Sequence, residues 1–223
     1  HAPENTALVA EKNGDGYKLT GTKTFVQEGM SATTFVVVAR TSGALGDING
    51  LTLFLVDADA SGLTRNQVKT VDSRGYANLD LDGVEVSVDA ILGTLDDGFP
   101  VLEAVLDRAR AASGAEMLGT AAQAFDMTLE YLKTREQFGQ VIGSFQALGH
   151  RAAGLFGQME LARSCAEAAL QAIDDNDNTQ QMASLSKCRV GEFLFEMSNQ
   201  LIQIHGGIGM TDEFNAGLYL KRA

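Results

Sequence analysis

The period of the hydrophobic pattern changes once along these 223 residues, near Asp96-Asp97-Gly98. That single change restricts the chain to folds in which a run of strands precedes a run of helices. Upstream of it the apolar stretches are short and set apart by turn residues. Tyr17–Val26 is rich in β-branched and aromatic residues and follows Asn13-Gly14-Asp15-Gly16, a hairpin signal. Thr34–Arg40 is a continuous apolar run, short enough for a strand buried on both faces. Leu51–Asp57, Gly62–Val71 and Asn78–Val86 follow, and the last alternates apolar with acidic residues, so that one face meets solvent. Strands with no helix between them predict a small antiparallel barrel or sandwich from about Ala7 to Gly93.

Downstream the period is 3.6. Leu102, Val105, Leu106, Ala109, Ala112, Met117, Ala121, Phe125, Leu129 and Leu132 keep one loose apolar face from Phe99 onward. A second helix is expected from about Phe145 to Ile173, ended by the polar run Asp174–Asn178, whose side chains compete for helical hydrogen bonds. A third spans Thr179 to His205, and a fourth opens at Thr211 and reaches Ala223. Long helices joined by short connections pack antiparallel. The fold class expected is therefore α+β: an antiparallel β-domain over residues 1–95, then a four-helix up-down bundle over 96–223.

Charge narrows the partners. Seventeen Lys and Arg stand against 29 Asp and Glu, a formal charge of −12, which disfavours diffuse binding to nucleic acid or to an anionic membrane. Any anionic ligand needs cations placed locally, so each arginine beside a glycine turn matters. Cys165 and Cys188 both fall in helical patterns with apolar neighbours, which predicts buried, reduced thiols and a cytoplasmic setting. No apolar run approaches the ~20 residues that span a bilayer, so membrane insertion is not expected. The first residue is His1 rather than methionine, which is compatible with a targeting peptide upstream.

Two stretches could carry chemistry. In the first, the third helix runs into Gly206-Gly207-Ile208-Gly209, followed by Thr211-Asp212-Glu213. Glycines permit positive φ and leave backbone N–H groups open to a phosphate or a sugar. They serve a helix–helix corner equally well, and Asp212 and Glu213 in a first helical turn compete with any phosphate there. In the second, Thr134-Arg135-Glu136-Gln137-Phe138-Gly139-Gln140 is followed by Ser144-Phe145-Gln146-Ala147. A guanidinium fits a diphosphate bidentately, and a ring such as Phe138 can lie on an adenine or a flavin. Taken alone, these are also a solvated arginine and a core phenylalanine. No Cys/His spacing suggests a metal, no G-x-S-x-G elbow occurs, and no G-x-G-x-x-G follows a strand. His150 and His205 are read as core or capping residues.

Together, in order and spacing, the two stretches resemble the flavin-binding signatures of the acyl-CoA dehydrogenase family, and the likeness extends over nearly the whole chain. It implies FAD as cofactor. Arg135, Gln137 and Phe138 would hold the flavin of one subunit, and Gln203, Gly206 and Gly207 would reach that of its neighbour, which requires a homodimer, homotetramer or hetero-oligomer. Phe25 and Gln27 occupy the place where the family usually shows a tryptophan and then a hydroxyl residue beside the flavin ring, so Gln27 departs from the pattern. Arg110 matches an arginine near the acyl-CoA substrate. The implied reaction removes an α-proton with a carboxylate while hydride leaves the β-carbon, giving a trans-2-enoyl-CoA, with electrons passed to an electron-transfer flavoprotein.

The catalytic carboxylate is missing from the expected places. One family position falls just beyond Ala223, and the alternative aligns with Ala109. Glu116, the only acidic residue deep in the first helix's apolar run, is read as a surface-facing or satisfied group. The family also carries an N-terminal helical domain for which these residues have no counterpart. A non-catalytic FAD-binding partner subunit of a hetero-oligomer is the second reading, motivated by Ala109 and Gln27. A flavin monooxygenase relative of the same architecture is a remoter third.

Overall fold

The computed structural model describes residues 2–223, which form two compact units divided at Ala104/Val105. The first holds seven strands: β1 (Val9–Asn13), β2 (Gly16–Gln27), β3 (Thr34–Arg40), β4 (Leu51–Asp57), β5 (Leu63–Val68), β6 (Tyr76–Ser87) and β7 (Ile91–Leu92). They make one sheet in the order β5-β6-β2-β1-β3-β4-β7. The α+β class stands, with two corrections to the expected sheet. It is mixed rather than purely antiparallel, because β1 and β3 run parallel where Val9 meets Arg40. It is also open, with β5 and β7 as unpaired edges, so no barrel closes among the described residues.

The core of this unit lies on one face of the sheet and includes Leu19, Val37, Phe54, Val56, Leu79 and Val84. Phe35, Val37 and Ala39 of β3 point into it while Val36 is exposed, so β3 is buried on one face and not on both. The alternation expected for Asn78–Val86 is present, interrupted at Gly83. Next to the parallel pairing, the buried Arg40 guanidinium donates to five backbone carbonyls, those of Glu4, Thr6, Ser42, Asp47 and Asn49. Five N–H donors in a rigid fork suit that task, and a lysine could not reproduce it.

The second unit contains most of α1 (Phe99–Thr134), with α2 (Gln146–Asp175), α3 (Thr179–His205) and α4 (Ala216–Arg222). A turn over residues 176–178 joins α2 to α3, with Asn176 and Asn178 at φ +51° and +53°, conformations that asparagine tolerates. The buried positions of α1 are Asp107, Ala111, Gly114, Ala121, Ala124, Phe125, Thr128 and Leu132. Steps of three, four and seven residues, broken only by the adjacent pair Ala124 and Phe125, form a seam close to period 3.5. Its first half differs from expectation: Val105, Ala109 and Ala112 face solvent while smaller residues pack. The reason is close approach. A Cβ at Gly114 would run into Ser186 Oγ of α3. Leu170 and Cys188 are exposed, and the Cys165 thiol is only half-buried, so the expected burial of the cysteines fails. The fourth helix begins at Ala216, five residues later than Thr211. No described helix is long and apolar enough to cross a membrane.

Candidate functional site

The last bond of α1 carries Arg135, whose N–H donates to the Tyr131 carbonyl at 2.9 Å. The chain then makes a hairpin that the sequence reading missed, pairing Glu136 with Val141 and Gln137 with Gln140. Its two central residues, Phe138 and Gly139, both have positive φ, +56° and +78°. That is the signature of a tight primed turn, which normally takes Asn-Gly rather than an aromatic residue at the first position. A phenylalanine there is strained, and its ring is 89% exposed, touching only the edge of Phe145 at 6.1 Å. The expected alternative, Phe138 as core filler, is therefore overturned. Strain spent to present a ring to solvent is characteristic of a binding site. Arg135 and Gln137 are exposed, and Arg135 makes no ion pair or side-chain hydrogen bond among the described residues.

The glycine turn starts where α3 stops. Gly206 adopts φ +63°, ψ −135°, outside the range of other residues, and its N–H donates to the Ile202 carbonyl. A single tight turn then runs through Met210, and Thr211 closes it with N–H and hydroxyl bonds to the Ile208 carbonyl. A Cβ at Gly206 or Gly207 would meet nothing within 4 Å, whereas one at Gly209 would approach the Ile202 carbonyl to 2.9 Å. Gly209 is thus a packing glycine, and Gly206 and Gly207 present bare backbone outward. Gln203 is exposed beside them. Asp212 and Glu213 lie in the connection before α4, not in a first helical turn, so they do not sit on its dipole.

His205 links the two segments. Its ring is 3% exposed and stacked between Tyr131 of α1, at 4.1 Å, and Phe214, at 4.4 Å. Tyr131 also donates its hydroxyl to the His205 carbonyl at 3.4 Å. The hairpin that begins one turn after Tyr131 and the glycine turn that begins at His205 are thereby fixed at the same end of one bundle. Sharing a bundle end does not join the two segments into one ligand site, since the link between them is the Tyr131–His205 contact. His205 was expected to be a core or capping residue, and it is buried. Burial pulls its imidazole below the ordinary 6.5, against a smaller opposing effect of its bond to Leu201.

In the β unit, Phe25 sits at a bulge of β2 opposite Asn78, where the register with β6 shifts between Lys23 and Val26. Its φ is +52° and its ring is 64% exposed, so it is no core residue. The Asn78 side chain accepts its N–H at 3.0 Å, and Tyr76 meets the ring edge-on at 6.3 Å. Gln27, exposed, pairs in register with Tyr76. Lys23 faces the same side as Leu79, and desolvation lowers its ammonium from 10.5 to about 8.

On α1, Arg110 Nη1 bonds Asp107 Oδ1 at 2.5 Å, and Asp107 is buried. Asp107 was missed by the sequence reading, although an aspartate on a buried seam three residues before an arginine is a signal of such a pair. Ala109 is exposed between them, so no carboxylate stands at that alternative position for a base. Glu116 is exposed and bonded to Arg222 at 2.6 Å, as expected for a surface group. His150 is exposed, contrary to expectation.

These residues fit a flavin dinucleotide. A free guanidinium and an outward ring lie at the same bundle end as bare glycine backbone. Residues 2–85 match the acyl-CoA dehydrogenase middle domain, and residues 96–223 match the acyl-CoA dehydrogenase C-terminal domain. The chain is 30% identical over 217 residues to the bovine mitochondrial short/branched chain specific acyl-CoA dehydrogenase, covering 96% of this chain and 50% of that protein. It thus spans about half the length of the curated relatives it matches. Butyryl-CoA dehydrogenase from Megasphaera elsdenii has the same fold at a TM-score of 0.92 and 26% identity, over 98% of this chain and 58% of that one. A chain of the ChsE4-ChsE5 complex from Mycobacterium tuberculosis superposes at 0.85 with 28% identity, over 96% of this chain and 56% of that one. The chain belongs to the acyl-CoA dehydrogenase family.

Proposed function

We propose that the protein carrying these residues is an FAD-dependent acyl-CoA dehydrogenase that oxidises an acyl-CoA thioester to the trans-2-enoyl-CoA and passes electrons to an electron-transfer flavoprotein. The feature that supports this reading is that the Arg135–Phe138 hairpin and the Gly206–Gly207 turn lie at the same end of the bundle, tied to it through the Tyr131–His205 stack. Arg135 would pair with the diphosphate, Phe138 would cover an aromatic ring, and Gln137, Gln203 and the glycine backbone would hydrogen-bond the sugar and phosphates. Bound FAD supplies the hydride acceptor. On the β unit, the exposed Phe25 and Gln27 would offer a flavin ring an aromatic face and an amide in place of a hydroxyl. Arg110, held by Asp107, would orient the anionic part of the substrate. Assembly as a homodimer or homotetramer would complete the site.

Anaerobic mixing of the full-length protein with a series of acyl-CoA thioesters tests this. Bleaching of the flavin absorbance with at least one chain length is expected, and no bleaching with any of them would sink the reading. A second reading, a non-catalytic FAD-binding partner in a hetero-oligomer, is favoured by the exposed Ala109 and by the similarity to a chain of a two-component complex. The gene sequence separates the two. A glutamate within about a dozen residues (three helical turns) beyond Ala223 supports the enzyme, and its absence supports the partner.

A further inference from the structure

His205 is built in a way that ligand contacts at the bundle end do not require. The Leu201 carbonyl can only accept, so Nδ1, 2.8 Å away, must carry the proton. Nε2 is then an acceptor, buried with no partner among the described residues. A neutral imidazole tolerates one unmet acceptor. An imidazolium would turn both nitrogens into donors and bury a charge between two aromatic rings with no acceptor beside the second N–H.

The charged groups on the surrounding elements are engaged or exposed elsewhere. On α1, Glu130 pairs with Lys133 at 2.8 Å, and Glu116 with Arg222 of α4. On α3, Glu196 accepts from Gln200. Asp212, Glu213 and Lys221 are exposed. None of them bonds the ring, so the aromatic faces of Tyr131 and Phe214 are all that offsets a proton there, in keeping with the lowered basicity noted above.

We propose that His205 is a positioning residue for the Gly206–Gly207 turn and holds it only while neutral, so that mild acid loosens the turn and its grip on a dinucleotide diphosphate. The ligand half rests on the flavin reading, and the opening of the turn does not. The sign follows from linkage. The proton binds more tightly once the turn has opened, where His205 regains its ordinary value of 6.5. The grip is therefore complete above that value and is lost as pH falls toward the lower value of the closed turn, by at most about tenfold per pH unit for one proton.

Hydrogen exchange of the full-length protein, followed on the peptide over 201–215 from pH 7.5 to 5.5 and corrected for intrinsic exchange, reads the turn directly. Protection in the wild type is expected to fall severalfold across this range relative to a peptide from α2, with FAD release following the same course. His205→Phe, which keeps the stack, and His205→Gln are both expected to show a flat pH course. The same acid response in the variants, or a flat one in the wild type, overturns the proposal. Opening of the peptide in a protein that takes up no FAD at any pH sinks the flavin reading and leaves the device standing.

Discussion

Replacing Phe138 with asparagine separates strain from function, because its two effects have opposite signs. Holding a residue with a Cβ at φ +56° costs about 1–2 kcal/mol, and asparagine recovers a good part of that. The ring is 89% exposed, so truncation forfeits only a few tenths of the ~1.5–3 kcal/mol that full burial of a phenylalanine gives. Losing the edge contact with Phe145 takes away roughly another 0.5 kcal/mol. Phe138→Asn is thus expected to leave the fold unchanged or more stable by up to about 1 kcal/mol, a melting temperature higher by as much as about 2–4 °C. Flavin affinity should move the other way. An aromatic stacking contact of about 0.5–1.5 kcal/mol is removed, which weakens retention roughly two- to tenfold. Differential scanning fluorimetry of the apoprotein and flavin titration of the full-length protein measure the two. A melting temperature lowered by several degrees would show that the ring props up the hairpin, and unchanged affinity would remove Phe138 from the site.

The adjacent glycines make a matched pair. Gly206→Ala forces a Cβ into a backbone conformation that only glycine holds well and should cost about 1–3 kcal/mol in thermal unfolding, although there is open space around it. Gly207→Ala, with no positive φ and nothing within 4 Å, should leave stability within about 0.5 kcal/mol and still lower flavin retention, since the methyl meets only the ligand. At the α1–α3 seam, Gly114→Ala should destabilise by about 1–3 kcal/mol through collision with Ser186 Oγ. Ser186→Ala removes that atom, itself buried without a partner, so in this background the same glycine substitution should become neutral or stabilising, as denaturant titrations of the four proteins would show.

Much of the architecture was legible because period is a property of the chain itself. The bounds of β3, β4 and α3 follow from runs of apolar residues closed by turn clusters. What stayed hidden depends on partners. The parallel pairing of β1 rests on one residue pair, Val9 with Arg40, and a strand of five residues carries too little alternation to announce it. Val36 and Val38 made β3 look buried on both faces, because an apolar run does not say which face is covered. On α1 a hydrophobicity criterion picks Val105 and Leu106, whereas close helix packing selects Asp107, Ala111 and Gly114. Thr211-Asp212-Glu213 has the composition of a helix start, yet it lies in the connection between the Gly206–Met210 turn and α4. Arg135, Phe138 and the glycines came from motif likeness, and the strain that gives Phe138 its orientation is visible only in the backbone. Tyr131, His205 and Phe214 form one stack from three separate stretches, a contact that no local pattern encodes.

Arg40 has a practical bearing on how this protein can be cut. Two of its five carbonyls belong to Glu4 and Thr6, and the others to the loop that carries Ser42, Asp47 and Asn49. A shortened β unit starting at Ala7 would strand two buried guanidinium N–H groups, at about 1–3 kcal/mol for each orphaned donor. The damage would surface some forty residues downstream of the missing segment, in a loop whose own sequence had not been touched.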